Sequence, residues 1–321
     1  MSGQLPLFAG VDPEPAGLGP APAAQAHAEL ARALPPGLRL GTSSWSFPGW
    51  AGVVYDREAS SRDLARHGLR AYAQHPLLRA VGVDRTFYGP VAPDVFADYA
   101  AQVPADFRFL VKAHQDCVVP ALTQGAASGQ RNPRFLDPVY AREHVVEPAR
   151  AGLGPKLGVL LFQFPPFDVG LAGGARDVLR RLEAFFAALP EGLPYAVELR
   201  NRGLFGPRYL DRLAGVGVRH CLTAHPSMPP VFEQWRAVGP RGDGATVLRW
   251  MLARGLSYAA AKEAFAPFDR LARPDPETRE QVAAVIRESS STLVIVNNKA
   301  EGSSPCTLLA LARHLAGEAQ A

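Results

Sequence analysis

Tyr195-Ala-Val-Glu-Leu-Arg-Asn201, with Pro194 before it and Gly203 shortly after it, is an apolar run that carries a carboxylate inside and a guanidinium at its exit. Successive side chains of a strand face opposite sides. Ala196, Glu198 and Arg200 therefore share one side, and Val197 and Leu199 share the other, apolar one. Charges inside an otherwise buried strand are costly unless they are paired or wet. The simplest arrangement is a strand whose carboxyl end opens into a polar pocket.

The same pattern recurs along the chain. Strand-like runs occur at Leu38-Arg-Leu-Gly-Thr-Ser-Ser-Trp45, at 79–86, at Phe107-Arg-Phe-Leu-Val-Lys-Ala-His114, at Leu157-Gly-Val-Leu-Leu-Phe-Gln-Phe164, at 218–223, at 245–250 and at Thr292-Leu-Val-Ile-Val-Asn-Asn298. The run 157–164 is continuously apolar, as a parallel strand covered on both faces must be. Helical segments lie between the runs, with start signals at Ser60-Ser61, Asp137-Pro138, Asp275-Pro276 and Ser304-Pro305. Eight strands alternating with helices predict an α/β fold, a single (β/α)8 TIM-type barrel over residues 37–316. Closure leaves no edge strand, which favours the barrel over an open doubly wound sheet. Residues 317–321 read as a tail, and 125–133 as a long connection near the active end.

Residues 1–36 are rich in Ala, Pro and Gly, the composition of a flexible arm. Within them Gln4, Leu5, Leu7 and Phe8 form an apolar cluster. Gln4-Leu-Pro-Leu-Phe8 is similar to the peptide with which bacterial DNA-repair and replication proteins dock on the sliding clamp. Large apolar side chains on a tether suit a pocket on such a partner. The plain alternative is that they pack on the protein's own surface.

The chain has 321 residues, a net charge of +4 and a pI near 9.1. Its arginines are dispersed rather than blocked, so the mild basicity does not argue for nucleic acid by itself. Cys117, Cys221 and Cys306 are odd in number and widely spaced, which suggests buried thiols in a reducing compartment. With no membrane-spanning apolar run and no secretory leader pattern, a cytoplasmic protein is expected.

Reactive groups of this fold gather at the carboxyl ends of the strands. Glu198 and Lys112 are the acid–base candidates there. Arg200, Arg249 and Lys299 suit an anion, and Ser43, Trp45, Asp84, Thr86, Tyr88, Gln163 and Asn297 complete the expected substrate site. The turn Gly302-Ser303-Ser304 could offer amides to an anion. Trp45, Phe47, Trp50, Phe87 and Tyr88 suit a base or a sugar, and equally a plug that closes the barrel. No metal-ligand spacing, phosphate-binding loop, dinucleotide fingerprint or nucleophile elbow occurs, and no cofactor is assigned.

Gly41-Thr-Ser-Ser-Trp-Ser-Phe-Pro-Gly-Trp50, Asp84-Arg-Thr-Phe-Tyr88, Phe109-Leu-Val-Lys-Ala113, 157–166, Val197-Glu-Leu-Arg-Asn201 and Val296-Asn-Asn298 together resemble the YecE-like family (domain of unknown function 72) over about residues 38–316. The resemblance implies a (β/α)8 barrel and supplies no reaction. Glu198, Arg200, Lys112, Arg249 and Asn297 match the family's pattern. Its usual Val-Glu-Val-Asn is Val81-Gly-Val-Asp84 here, its Arg-x-His-Gly is Arg249-Trp-Met-Leu252, and its Thr-His is missing from 116–120.

Three functions are expected from this reading. The first is an enzyme, a hydrolase or lyase, doing acid–base chemistry on an anionic or sugar-containing substrate, nucleic-acid components included. The second is a non-catalytic DNA-maintenance accessory on the sliding clamp. The third is a phosphorylated-metabolite binding protein.

Overall fold

The computed structural model describes residues 17–122, 128–239 and 246–318. Its strands are β1 (Leu38–Thr42), β2 (Leu78–Val83), β3 (Arg108–Lys112), β4 (Leu157–Phe164), β5 (Tyr195–Leu199), β6 (Arg219–His220), β7 (Leu222–Ala224), β8 (Thr246–Trp250) and β9 (Thr292–Val296). All pairings are parallel, in the order β6-β5-β4-β3-β2-β1-β9-β8-β7. Because β6 and β7 are separated only by Cys221, this sheet is a barrel whose sixth strand is broken in the middle. The (β/α)8 TIM-type architecture expected from the alternation is the one observed.

The break explains why nine strands stand where eight runs were read. Arg219 and His220 pair with Ala196 and Val197 of β5, and Cys221 N–H still donates to the Val197 carbonyl at 2.8 Å. Leu222–Ala224 then turns to β8, with Thr223 opposite Arg249. The backbone of Thr223 is completed by a side chain instead: Gln234, from the helix Val231–Val238, binds its N–H and its carbonyl.

A second seam lies between β1 and β2, where the register shifts between Leu40 and Gly41. Gly41 is required there, since a Cβ would stand 2.1 Å from the Ala80 carbonyl oxygen. Tyr72, on the helix Ser61–Ala73, bridges this seam: its hydroxyl accepts from Thr42 N–H at 3.0 Å and donates to the Ala80 carbonyl at 2.9 Å.

Two apolar regions follow from strand alternation. Ala80, Leu110, Val159, Leu161, Ala196, Cys221, Val247, Leu293 and Ile295 fill the barrel interior as one buried cluster. The alternate residues, among them Val81, Phe109, Phe162, Val197, Leu248 and Val294, join the larger core beneath the helices. Ser60, Asp137 and Asp275 cap their helices through side-chain bonds to backbone N–H groups, as their positions predict.

The N-terminal boundary differs from expectation. Residues 17–36 are not an arm: Pro22–Gln25 and Ala28–Ala33 are helical, Ala21, Ala24 and Leu30 are buried, and Ala21 N–H donates to the Val54 carbonyl at 2.9 Å. Small alanines let this segment approach the barrel closely, a role that composition alone does not separate from a linker. Gln4, Leu5, Leu7 and Phe8 lie outside the described residues. At the other end the last helix, Ser304–Leu315, is followed by a turn in which Glu318 N–H bonds to the Arg313 carbonyl at 3.0 Å. Among the described residues no helix is long and apolar enough to cross a membrane.

Candidate functional site at the barrel mouth

One step beyond the interior apolar cluster, toward the carboxyl ends of the strands, the side chains change character. Lys112 follows Leu110, Gln163 follows Leu161, Glu198 follows Ala196, Thr223 follows Cys221, Arg249 follows Val247 and Asn297 follows Ile295, each two residues on and so on the interior face. The register sets Gln163 beside Glu198 and Thr223 beside Arg249. A polar layer therefore closes the top of the barrel, where the sequence places it.

At its centre is a network of charges. Glu198 is fully buried. Its Oε1 accepts from Arg200 Nε at 2.9 Å and Nη2 at 2.8 Å, and from Thr223 Oγ1 at 3.4 Å. Its Oε2 accepts from Arg249 Nη1. Arg249, also buried, reaches Asp84 Oδ1 with Nη2 at 3.4 Å. Burial alone would raise the Glu198 pKa, but the guanidiniums of Arg249 and Arg200 outweigh it and hold the carboxyl well below the usual range. Burial likewise opposes the Arg249 charge, and Glu198 and Asp84 more than restore it. Both oxygens of Glu198 are taken up by cations in this arrangement. Its geometry is that of a brace for two guanidiniums.

Lys112 differs. Its Nζ lies 3.6 Å from the centre of the Phe87 ring, and it forms no hydrogen bond or ion pair among the described residues. Burial pulls the ammonium down most, Asp84 and Glu198 push it up, Arg249 and Arg200 push it down, and it settles at about 8. Its charge change is thereby brought closer to neutrality. Asp84, about a third exposed, stands beside it.

Other expected site residues divide. Tyr88 is strongly exposed on the rim, next to Asp84 and to the exposed Tyr258. Lys299 is buried with its Nζ 4.2 Å from the Tyr258 ring centre and 5.5 Å from that of Phe268. Asn297 accepts from Lys299 N–H at 3.0 Å and so fixes the turn that carries that lysine.

Trp45, expected among the substrate contacts, is instead packed edge-on against Tyr99 with centroids 5.0 Å apart, in the helix-side core. Phe47 and Trp50 pack against each other at a tilt, with centroids 5.2 Å apart, and Trp50 is fully buried. Thr86 spends its hydroxyl on the carbonyls of Val83 and Lys112, at 2.6 and 2.5 Å. Ser43 directs its hydroxyl at the Val296 carbonyl, 3.4 Å away. Both hold backbone rather than facing a ligand.

The Gly302–Ser304 turn is buried, and Ser304 N–H is taken by Asn298 Oδ1 at 2.8 Å. That turn is closed to an outside anion. A Cβ at Gly82 would stand 3.1 Å from the Ser43 backbone, a tight contact at the position where the family resemblance implies a carboxylate.

Sequence reasoning missed Thr223, which its own strand pattern places beside Arg249, and Tyr258, which carries no local signal. His225 also adjoins the network. It lies close enough to Arg200 and Glu198 to feel both, accepts from Ser227 N–H at 3.2 Å, and is lowered to about 4, first by burial and then by Arg200.

Comparison with known proteins agrees with this architecture. The family model described as "Protein of unknown function DUF72" matches residues 39–321. No curated protein matches. Among solved structures, a DUF72 family protein from Thermotoga maritima MSB8 is 20% identical, covers 87% of this chain and 98% of its own, and superposes with a TM-score of 0.58. One from Enterococcus faecalis V583 is 19% identical, covers 88% and 97%, with a TM-score of 0.55. At such identity these two likenesses speak for the fold alone. The match over most of the length, together with the barrel and its strand-end motifs, makes this chain a member of the DUF72 family.

Proposed function

We propose that the barrel mouth is the active site of an enzyme that moves a proton on a small anionic or sugar-containing substrate. Lys112 is the acid–base group, Asp84 its neighbour in proton transfer, and Arg200 and Arg249 the anion-binding guanidiniums held in place by Glu198. Tyr88 and Tyr258 would cover the bound ring or chain from the rim. The observation that carries this reading is the setting of Lys112: an amine against an aromatic face, beside two guanidiniums, with its charge change moved near neutral pH. A hydrolase or lyase acting on a phosphorylated or carboxylated sugar, including a nucleic-acid component, fits that equipment.

The test is a turnover screen of phosphorylated and carboxylated sugars with the wild type and Lys112→Met. A substrate consumed by the wild type with a pH profile breaking near 8, and untouched by the folded variant, is the expected result. A ligand that raises Tm without being consumed would make the site a metabolite-binding one instead. Equal turnover by the variant would remove Lys112 from the chemistry.

The peptide Gln4–Phe8 favours an added tether to a bacterial sliding clamp. Replacing Leu7 and Phe8 with alanine should abolish capture by purified clamp; undiminished capture would refute the tether and leave the barrel chemistry unaffected.

A further inference from the structure

We propose that Lys112 is also a covalent nucleophile, whose Nζ condenses with the carbonyl carbon of an aldehyde or ketone bearing a phosphate or carboxylate and forms a protonated imine in the barrel mouth. This deepens the reading of the mouth as an anion-binding active site and rests on it.

The choice of side chain is the first support. Only four of the 34 basic residues of the chain are lysine. An arginine-rich chain that needed only a cation among Arg200 and Arg249 could have used a third arginine. A guanidinium, however, is never a neutral nucleophile at ordinary pH, whereas an amine loses its proton readily once desolvated. Lys156 is committed to the carbonyls of Ala100 and Val103, at 2.6 and 2.7 Å, and Lys262 is exposed on its helix. Lys299 lies between the Tyr258 and Phe268 rings, outside the network formed by Glu198, Arg200, Arg249 and Asp84.

The second support is placement. Lys112 stands in the interior polar layer with the guanidiniums, partly open to solvent, with Phe87 against its Nζ. An apolar wall together with neighbouring cations is the recognised way to make a lysine nucleophilic. At pH 8 an amine titrating at about 8 has a neutral fraction on the order of a hundredfold above that of an ordinary lysine. Arg200 at the edge of the network is positioned to receive the substrate's anionic group while the carbonyl reaches Lys112.

The step balances without a further reactant. Asp84 takes a proton from the ammonium. The freed lone pair forms the N–C bond while the carbonyl π electrons move to oxygen, which is protonated. A second N–H proton is released, the protonated hydroxyl leaves as water, and nitrogen closes the C=N bond. In sum, one ammonium and one carbonyl give one iminium and one water, with no change in net charge or oxidation level.

The experiment uses the full chain with pyridoxal 5′-phosphate, and separately glyoxylate, each trapped with cyanoborohydride and mapped by peptide mass spectrometry. The expected result is one adduct, at Lys112, formed roughly tenfold or more faster than at Lys156, Lys262 or Lys299, and lost in Lys112→Arg. Pyridoxal without the phosphate should label more slowly, and inorganic phosphate should compete. Preference for the first probe over glyoxylate assigns a phosphate-bearing carbonyl, and the reverse a carboxylate-bearing one. Labelling spread over all lysines, or centred on Lys299, overturns the proposal. Phosphate-competed binding with no trapped adduct overturns the imine and leaves the anion site standing; no binding of either probe removes both.

Discussion

Gln234 holds both backbone groups of Thr223: its Oε1 accepts the Thr223 N–H at 3.0 Å, and its Nε2 donates to the Thr223 carbonyl at 2.9 Å. The same Oε1 meets His220 Nε2 at 3.1 Å, and the same Nε2 donates to the Pro229 carbonyl at 2.6 Å. A fully buried amide thus does what a neighbouring strand would do at the break after Cys221. Gln234→Leu fills a similar volume but leaves several buried polar groups without partners. It should cost about 2–5 kcal/mol in urea denaturation, since each orphaned group costs about 1–3 kcal/mol. A variant as stable as the wild type would show that water satisfies the seam.

Tyr72 seals the other seam by one oxygen. Tyr72→Phe keeps the ring and its edge contact with Phe107, 6.3 Å between centroids, and deletes only the hydroxyl. The Thr42 N–H and Ala80 carbonyl then lose this partner, and a loss of about 1–3 kcal/mol is expected. Amide hydrogen exchange gives the local readout: Thr42 should exchange faster in the variant, with distant β4 amides unchanged apart from the global loss. Unaltered protection at Thr42 would count against the bridge.

The fold was readable because it rests on strand period and helix starts. Ala196, Glu198 and Arg200 were assigned to one face from alternation alone, and the barrel puts Ala196 inside the core with Glu198 directly above it. The roles within the site were less readable. Nothing in the sequence near 198 shows that Arg249, 51 residues later, would occupy the carboxylate's second oxygen. Trp45 was misplaced because it lies three residues beyond the end of β1, where the period no longer fixes direction, and its ring packs on Tyr99 on the helix side. The packed segment 17–36 escaped notice because alanine serves a linker and a close contact equally well.

Glu198 and Arg249 are the pair whose separation should be most damaging. Glu198→Gln leaves two guanidiniums facing an amide in a buried place, where removing one partner of an ion pair costs about 3–5 kcal/mol. The double variant Glu198→Leu/Arg249→Met removes both charges and should be less destabilised than the sum of Glu198→Leu and Arg249→Met made singly, a coupling measurable by urea titration. Additive losses would mean that the two side chains act independently. The same network gives a kinetic expectation: since Glu198 stays ionised well below neutrality, no limb of an activity profile between pH 5 and 7 should vanish in Glu198→Asp.

Acid stability follows from buried histidines. His75 and His220 are both lowered to about 4 from an ordinary 6.5, in each case chiefly by burial. His27 adds repulsion at His75, 5.8 Å between ring centroids, whereas the bond to Gln234 partly offsets burial at His220. A group whose folded pKa lies below its unfolded value binds its proton first in the unfolded chain. Its contribution is therefore intact above pH 6.5, declines as pH falls from 6.5 to 4, and is gone below that. Each ring can account for up to about 3 kcal/mol over that window, from about 1.4 kcal/mol per pKa unit. The Glu198 carboxylate adds its own loss only at lower pH, because its folded value is depressed below the unfolded 4.5. Urea midpoints at pH 7.0, 5.5 and 4.5 should fall steadily, and His75→Asn should flatten part of that slope. A midpoint constant from pH 7 to 4.5 would mean that both rings reach water before they are protonated.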